Sequence, residues 1–291
     1  MTIIAGFSSS RQSAAPLQLA AQVARSTGEK VIAAAIVERA FPPRDDPVER
    51  EYLRYVSAQA QKSPARVAEQ PPADQAIPVV GRRSASVPAG LMELVEENGA
   101  SLAVVGSSSA GLLGRIGLGS VTERLVHTAA VPVAIAPRGY APGSEPIRML
   151  TAAYGGEADV NGLIPAAAEL ATAWSVPLRI VSFTVRPVGG SIEPTAENLV
   201  VQQWSKRTFD DIVTKLNAVR ERLAVPDVEV VVGSGRDWRE AVEAVPWASG
   251  DILLMGSGAA GPLARVFLGS AASKIVRHVP VPVMIVPRHR K

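Results

Sequence analysis

Val131-Pro132-Val133-Ala134-Ile135-Ala136-Pro137-Arg138 recurs 150 residues later as Val281-Pro282-Val283-Met284-Ile285-Val286-Pro287-Arg288. Each copy is a proline-bounded apolar run of strand length with no polar face, as expected of a strand covered on both sides. Working back toward the N-terminus, the same spacing carries Leu118-Gly119-Ser120 onto Leu268-Gly269-Ser270, Arg115 onto Arg265, and Gly106-Ser107 onto Gly256-Ser257. A spacing that holds unchanged from Gly106 to Arg138 points to a duplicated domain. A length of 291 residues leaves each copy the size of an ordinary domain.

Further out, apolar runs alternate with helical spacing. In the first half the strands are predicted at Thr2–Phe7, 30–37, 77–80, 101–105 and 131–136. Helices are predicted at 13–27 (apolar at Leu17, Leu19, Ala20 and Val23, stopped by Gly28), at 47–70 with a break at Pro64, at 88–97, and at 120–130. The second half repeats the order, with strands at Met149–Ala153, 178–183, 228–232, 252–255 and 281–286. Continuous apolar strands separated by helices predict an α/β fold: two tandem, doubly wound, five-stranded parallel sheets with helices on both faces. The first domain spans 1–139 and the second 147–291. Between them lies a linker, 140–146, in the Gly/Pro/Ser-rich stretch Gly139-Tyr140-Ala141-Pro142-Gly143-Ser144-Glu145-Pro146. In such sheets ligands sit beyond the carboxyl ends of the strands, where the strand order reverses.

The segment with chemical content follows the fourth strand of each half. In the first it runs Val105-Gly106-Ser107-Ser108-Ser109-Ala110-Gly111-Leu112-Leu113-Gly114-Arg115-Ile116-Gly117-Leu118-Gly119-Ser120-Val121-Thr122-Glu123. Gly106 leaves a strand, where a missing side chain permits a tight turn. Gly119 and Ser120 open an apolar helix, whose first N–H groups are unpaired and carry a partial positive charge suited to phosphate. The alternative is purely structural: Gly106 ends a strand and Ser120 caps its own helix. Arg115, like Arg265, is either a phosphate contact or a solvated loop tip. No Gly-Lys-Ser closes the segment, so it is no Walker A loop. A Rossmann fingerprint would follow the first strand, not the fourth.

The pattern resembles the universal stress proteins, whose signature is Gly, two residues, Gly, nine residues, Gly, then Ser or Thr after the fourth strand. Gly106, Gly119 and Ser120 match its first and last elements in one half, and Gly256, Gly269 and Ser270 in the other. Leu118-Gly119-Ser120-Val121-Thr122-Glu123 and the closing Val-Pro-Val strands carry the likeness further. The resemblance covers essentially the whole chain. It implies a Rossmann-like fold of the adenine nucleotide alpha hydrolase type, with fifth strands paired so that the chain is a pseudo-dimer of itself, open to further homodimerisation. It also implies an adenine nucleotide, ATP, held by Ser8, Val105, Gly106, Ser109, Arg115, Gly119, Ser120, Val121 and Thr122, and in the second half by Gly256, Gly269 and Ser270. Two elements depart from the family. The middle glycine is Ser109 in one half and Ala259 in the other, with Gly111 and Gly261 two residues on. The family's Asp after the first strand falls on Ser8 and on Tyr154; Tyr154 either fills an adenine slot or stacks on the base. The first half is therefore the expected site.

Other chemistry finds little support. There are no cysteines and 3 histidines, which removes disulfides and thiol chemistry and leaves no zinc set. A net charge of +3, with its one basic run in the tail Arg288-His289-Arg290-Lys291, does not suit nucleic acid. The N-terminal strand predicts no signal peptide, and no run is long and apolar enough to span a membrane, so a cytoplasmic protein is expected. His127 and His278 sit toward helix C-termini. Asp45 and Asp46 read as a helix start, and Trp174, Trp204, Trp238 and Trp247 as packing and surface filling. No serine has a histidine partner at a strand-to-helix elbow, so a binding protein is expected and not an enzyme. The rival reading is a scaffold module that binds no nucleotide, and a slow ATP hydrolase ranks last.

Overall fold

The computed structural model describes residues 1–7, 14–38, 77–108, 112–156, 162–185, 194–225, 227–256 and 270–287, with isolated positions at 47, 51, 54 and 55. Most of the expected helix over 47–70 lies outside these residues, as do Asp45, Asp46 and the basic tail. Two compact units emerge, Met1–Pro146 and Ile147–Lys291.

Unit 1 runs β1 (Thr2–Phe7), α1 (Ala15–Thr27), β2 (Lys30–Glu38), β3 (Val79–Ser84), α2 (Val87–Glu97), β4 (Leu102–Gly106), α3 (Ser120–Thr128) and β5 (Val133–Ala136). Its strands lie in the order β3-β2-β1-β4-β5, all parallel. Unit 2 runs β6 (Met149–Ala153), α4 (Leu163–Trp174), β7 (Leu178–Val185), α5 (Pro194–Arg220), β8 (Val228–Gly235), α6 (Trp238–Glu243), β9 (Asp251–Gly256), α7 (Ser270–His278) and β10 (Val283–Val286). Its order is β10-β9-β6-β7-β8, again parallel. Both are doubly wound α/β sheets. From β1 the chain steps outward to β2 and β3, then crosses to β4 on the other flank of β1. The order therefore reverses between β1 and β4, and in unit 2 between β6 and β9, which opens a crevice at the carboxyl ends of those strands.

The central strands are buried throughout: Ile3, Ile4 and Ala5 in β1, Leu102 to Val105 in β4, and all of β5. Helix α1 presents Leu17, Ala20, Val23 and Ala24 to this core. It stops where Gly28 takes φ 70 and returns its N–H to Ala24 O at 2.8 Å, a conformation that suits glycine. Helix α2 starts on Ser86, whose hydroxyl accepts the Ala89 N–H, and Asn98 Nδ2 donates to Leu94 O at its other end.

The third strand differs from the sequence expectation of 77–80. It continues to Ser84 in full register with β2, Ala33 opposite Val79 and Glu38 opposite Ser84. Gly81, Arg82 and Arg83 break the apolar run and so look like an end. An edge strand needs only one covered face, however, and its polar residues are paired. Arg82 bonds Glu93 at 3.3 Å and Glu97 at 2.6 Å on α2, and Ser84 Oγ donates to Glu93 Oε1 at 3.0 Å. Strand β8 likewise runs on to Gly235, beyond its apolar segment.

Residues 140–146 lie along α1. Tyr140 OH donates to Gln22 Oε1 at 2.6 Å, Gln22 Nε2 donates to Pro146 O at 3.4 Å, and Arg25 Nη2 reaches Gly143 O at 2.9 Å and Glu145 O at 3.1 Å. Gln22 is fully buried. A stretch rich in glycine and proline is thus tied down by its own Tyr140 and by Gln22 and Arg25 of α1.

Candidate functional site

The crevice of unit 1 is bounded by the end of β4 and the start of α3. Val105 is buried, and Gly106 pairs with Ala136 of β5. A Cβ on Gly106 would stand 3.2 Å from Pro16 Cγ of α1, so glycine lets the strand end and the helix approach closely. Beyond it the chain folds back on itself. Ser107 N donates to Ala136 O at 2.9 Å, Ser108 N donates to Gly117 O at 2.7 Å, and Gly117 N donates to Ser107 Oγ at 2.7 Å. The tip is held as well: Gly114 N bonds Arg138 O at 2.9 Å, Arg138 N bonds Arg115 O at 3.2 Å, and Ile116 is 2% exposed. Arg115 is half-buried, with its main chain hydrogen-bonded on both sides.

Gly119 is the N-cap of α3. Its φ of −110 and ψ of 169 are extended, and no side chain caps the helix. The N–H groups of the first turn, from Ser120, Val121 and Thr122, therefore gain no side-chain acceptor from a cap. Ser120 is exposed, Val121 half-buried and Thr122 buried. A Cβ on Gly119 would lie 3.3 Å from Ser108 Cβ, so Ser108 packs closely against the start of α3. Ser120 does not cap its own helix; it is the first helical residue. Free amides, the positive end of a helix and an absent Cβ form a cradle that fits a phosphate group. Among the described residues no group of His, Asp and Glu is placed to hold a metal ion.

Ser8, Ser109, Gly111, Ala259, Gly261, Arg265 and Gly269 lie outside the described residues. In unit 2, Gly256 ends β9, with Leu163 Cβ of α4 3.8 Å from where its own Cβ would be, and Ser270 opens α7.

Tyr154 requires a correction. The registers β1 with β4 (Ile3 opposite Leu102) and β6 with β9 (Leu150 opposite Ile252) superpose Ile3 on Leu150, and hence Phe7 on Tyr154. Burial agrees: Thr2 to Phe7 and Met149 to Tyr154 share one pattern, ending on a buried aromatic. The residue of unit 2 that corresponds to Ser8 is therefore Gly155. Tyr154 neither fills a slot nor stacks on a base. It is a core residue, 3% exposed, whose hydroxyl donates to Asp211 and accepts from Lys215 of α5. Lys215 Nζ also lies 4.7 Å from the ring centroid. Burial pushes the phenol pKa up, reinforced by the bond to Asp211.

The remaining candidates stay apart. His127 and His278 occupy the last turns of α3 and α7. Trp174 is packed, Trp204 is 60% exposed, and Trp247 donates to Val242 O at 2.8 Å, so the tryptophans form no common platform. The feature hardest to read from sequence was the Ser107–Gly117 closure. Its only signal is that Gly106-Ser107 recurs intact in the second half.

Comparison with known proteins agrees with this architecture. The sequence model described as the Universal stress protein family matches residues 1–137 and again 150–287. Universal stress proteins of Mycobacterium bovis and Mycobacterium tuberculosis are 33% identical over 300 residues, covering 99% of this chain and 100% of theirs. A universal stress protein structure from Archaeoglobus fulgidus aligns at a TM-score of 0.56 and 19% identity, covering 99% of this chain and 96% of that one. One from Pseudomonas aeruginosa aligns at 0.55 and 13%, covering 99% and 93%. The glycine-loop residues, the doubly wound sheet and the twofold match lead to one conclusion: this chain belongs to the universal stress protein family, as a tandem of two such domains.

Proposed function

We propose that the chain is a nucleotide-binding regulatory protein that holds one adenine nucleotide, ATP, in the crevice of unit 1 and does no chemistry on it. The observation that carries this reading is the start of α3 at Gly119, which no side chain caps and which Ser108 approaches closely. Backbone amides of Ser120 to Thr122 bind the phosphates, Ser120 Oγ adds a donor, and Arg115 supplies positive charge. ATP would bring a purine and a polyanionic tail, and the residues here contribute binding and orientation only. Among the described residues no group of His, Asp and Glu could hold a metal ion.

Unit 2 favours the scaffold reading for itself. Gly155 offers no side chain where unit 1 has Ser8, and the aromatic beside it is committed to α5.

Equilibrium binding of ATP, ADP and AMP to the purified chain tests the proposal, with Gly119→Val as the paired variant. The extended φ of Gly119 suits a β-branched residue, so the variant should fold, while its side chain crowds the start of α3 beside Ser108. We expect saturable ATP binding at one site per chain and at least ~10-fold weaker binding in the variant. No binding by the wild type, or undiminished binding by the variant, would leave only the scaffold.

A further inference from the structure

The geometry points to Ser107 as the residue that positions the unit 1 cradle, a staple that touches no ligand but fixes the distance between the end of β4 and the start of α3. This rests on the nucleotide reading above.

Among the described residues, a set of short bonds ties the chain leaving Gly106 to the chain that returns to Gly119. Ser107 Oγ accepts the Gly117 N–H at 2.7 Å and lies 3.3 Å from both Gly117 O and Ser108 O, so the single hydroxyl closes the stem from both sides. Ser108 N adds its own bond to Gly117 O at 2.7 Å, and Ser107 N anchors the stem to Ala136 O at the end of β5. Residues 107 and 108 are thereby locked to 117, two residues before the N-cap. The consequence is visible at Gly119, where Ser108 Cβ stands 3.3 Å from the position a Cβ would take. The approach of Ser108 to the start of α3 is set by this closure. Gly114 and Arg115 are held in turn by Arg138.

A preformed cradle costs a ligand less ordering than a loop that must close around it. The Ser107 hydroxyl already has Gly117 as its partner and so is not a ligand donor. Without it the Gly117 N–H and the stem lose their fixed acceptor, and the amides of Ser120 to Thr122 lose their aim while the sheet and helix remain.

The test uses the full chain with Ser107→Ala and Ser107→Thr, the latter retaining a hydroxyl. Three quantities are read: amide exchange at Gly117 without ligand, ATP affinity, and the thermal midpoint of the ligand-free protein. In Ser107→Ala we expect Gly117 exchange to rise ~10-fold and ATP affinity to fall ~10-fold, about the worth of one hydrogen bond in a constrained site. The midpoint should move by no more than about 2 °C, and Ser107→Thr should restore exchange and affinity. Wild-type affinity in Ser107→Ala overturns the inference, as does an affinity loss that merely follows a collapsed midpoint. If the wild type binds no nucleotide, the proposed function and the positioning role fall together. The exchange measurement still separates the two cases, because unchanged Gly117 protection in ligand-free Ser107→Ala shows that the staple itself is wrong.

Discussion

The two units use one backbone plan but solve its tight places from opposite sides. In unit 1 helix α2 brings Gly90 onto the sheet, where an added Cβ would meet Ile36 Cγ2 at 2.8 Å and Ser84 Cβ at 2.9 Å. In unit 2 the helix residue is Ala241 and the strand residue is Gly235, whose Cβ would stand 2.4 Å from Ala241 N. The N-caps fix the correspondence, since Ser86 and Asp237 each accept the amide three residues on. The small residue has changed elements while the close approach has been kept. The sheet bases differ more. Ile4 and Ile32 pair across β1 and β2 in unit 1. The matching pair in unit 2 is Thr151 and Arg179, and Arg179 reaches Glu229 at 2.8 Å and Asp251 at 3.2 Å. What duplication preserves is the path of the chain; the chemistry that fills it is free to change as long as each buried group keeps a partner.

The sharpest break in that comparison is the buried ion pair. Arg179 and Asp251 side chains are 7% and 4% exposed, and burial raises the Asp251 pKa against the pull of Ala248 N–H and Arg179. Giving β7 the unit 1 residue, Arg179→Ile, strands that carboxylate and should cost about 3–5 kcal/mol in urea unfolding. A carboxyl with a raised folded pKa loses stability as pH climbs from its ordinary value through the raised one, so the deficit should deepen toward neutral pH. Adding Asp251→Ser, the residue unit 1 has at Ser101, should recover all but about 1–2 kcal/mol. If the double variant is no better than the single, the two bases are not interchangeable solutions.

The glycine exchange predicts a smaller effect. Gly235→Ala drives a methyl into the α6 backbone, which can yield only by moving the helix, and should cost about 3 kcal/mol. Gly90→Ala meets Ile36 Cγ2 and Ser84 Cβ, less closely than the Gly235 methyl meets backbone, and it gains roughly 0.5–1 kcal/mol of helix propensity, so a smaller net loss of about 1–2 kcal/mol is expected. Adding Ala241→Gly to Gly235→Ala should recover none of the latter's loss in the same urea unfolding measurement, because the atoms the methyl meets are Ala241 N and Glu240, which the second substitution leaves in place.

Much of this plan could be read before any coordinates. The invariant spacing from Gly106 to Arg138, the apolar strands and the stop at Gly28 are enough for the class, the duplication and most elements, because burial on both faces leaves continuous apolar runs that stand out from the helices between them. The ends of β3 and β8 are hidden for different reasons: Arg82 and Ser84 look like a turn until their partners on α2 are known, and Gly233-Ser234-Gly235 look like a loop until α6 is seen packed against both glycines. Tyr154 was placed one residue off. Sequence alone aligned it with Ser8, whereas pairing with the neighbouring strand, which no local pattern encodes, aligns it with Phe7. At the cradle, Gly106, Gly119 and Ser120 stood out as residue types, but the Ser107 closure depends on a hydroxyl and an amide ten residues apart and leaves no compositional trace.

The gentlest test concerns the helix starts. At α2 the Ser86 hydroxyl accepts the Ala89 N–H and Glu38 Oε1, from the end of β2, accepts the Val87 N–H at 3.1 Å, while the third helical position is Ala89 and carries no carboxylate. At α6 that position is Glu240, whose carboxylate accepts Arg236 N at 2.9 Å and bonds the Arg236 guanidinium at 3.0 Å. These bonds to Arg236 hold its pKa down at about 2, against an ordinary 4.5. A carboxyl depressed in the folded state contributes stability above its unfolded pKa and loses it as pH falls through the folded one. The contribution of Glu240 is therefore complete above about 4.5 and gone by about 2. Amide exchange across Trp238–Glu243 should quicken over that window relative to Glu240→Gln, which removes the titrating group, while Val87–Glu97 shows no matching difference. If α2 and α6 respond to acid alike, the added carboxylate at α6 is ornament, and the two units differ only in how they pack.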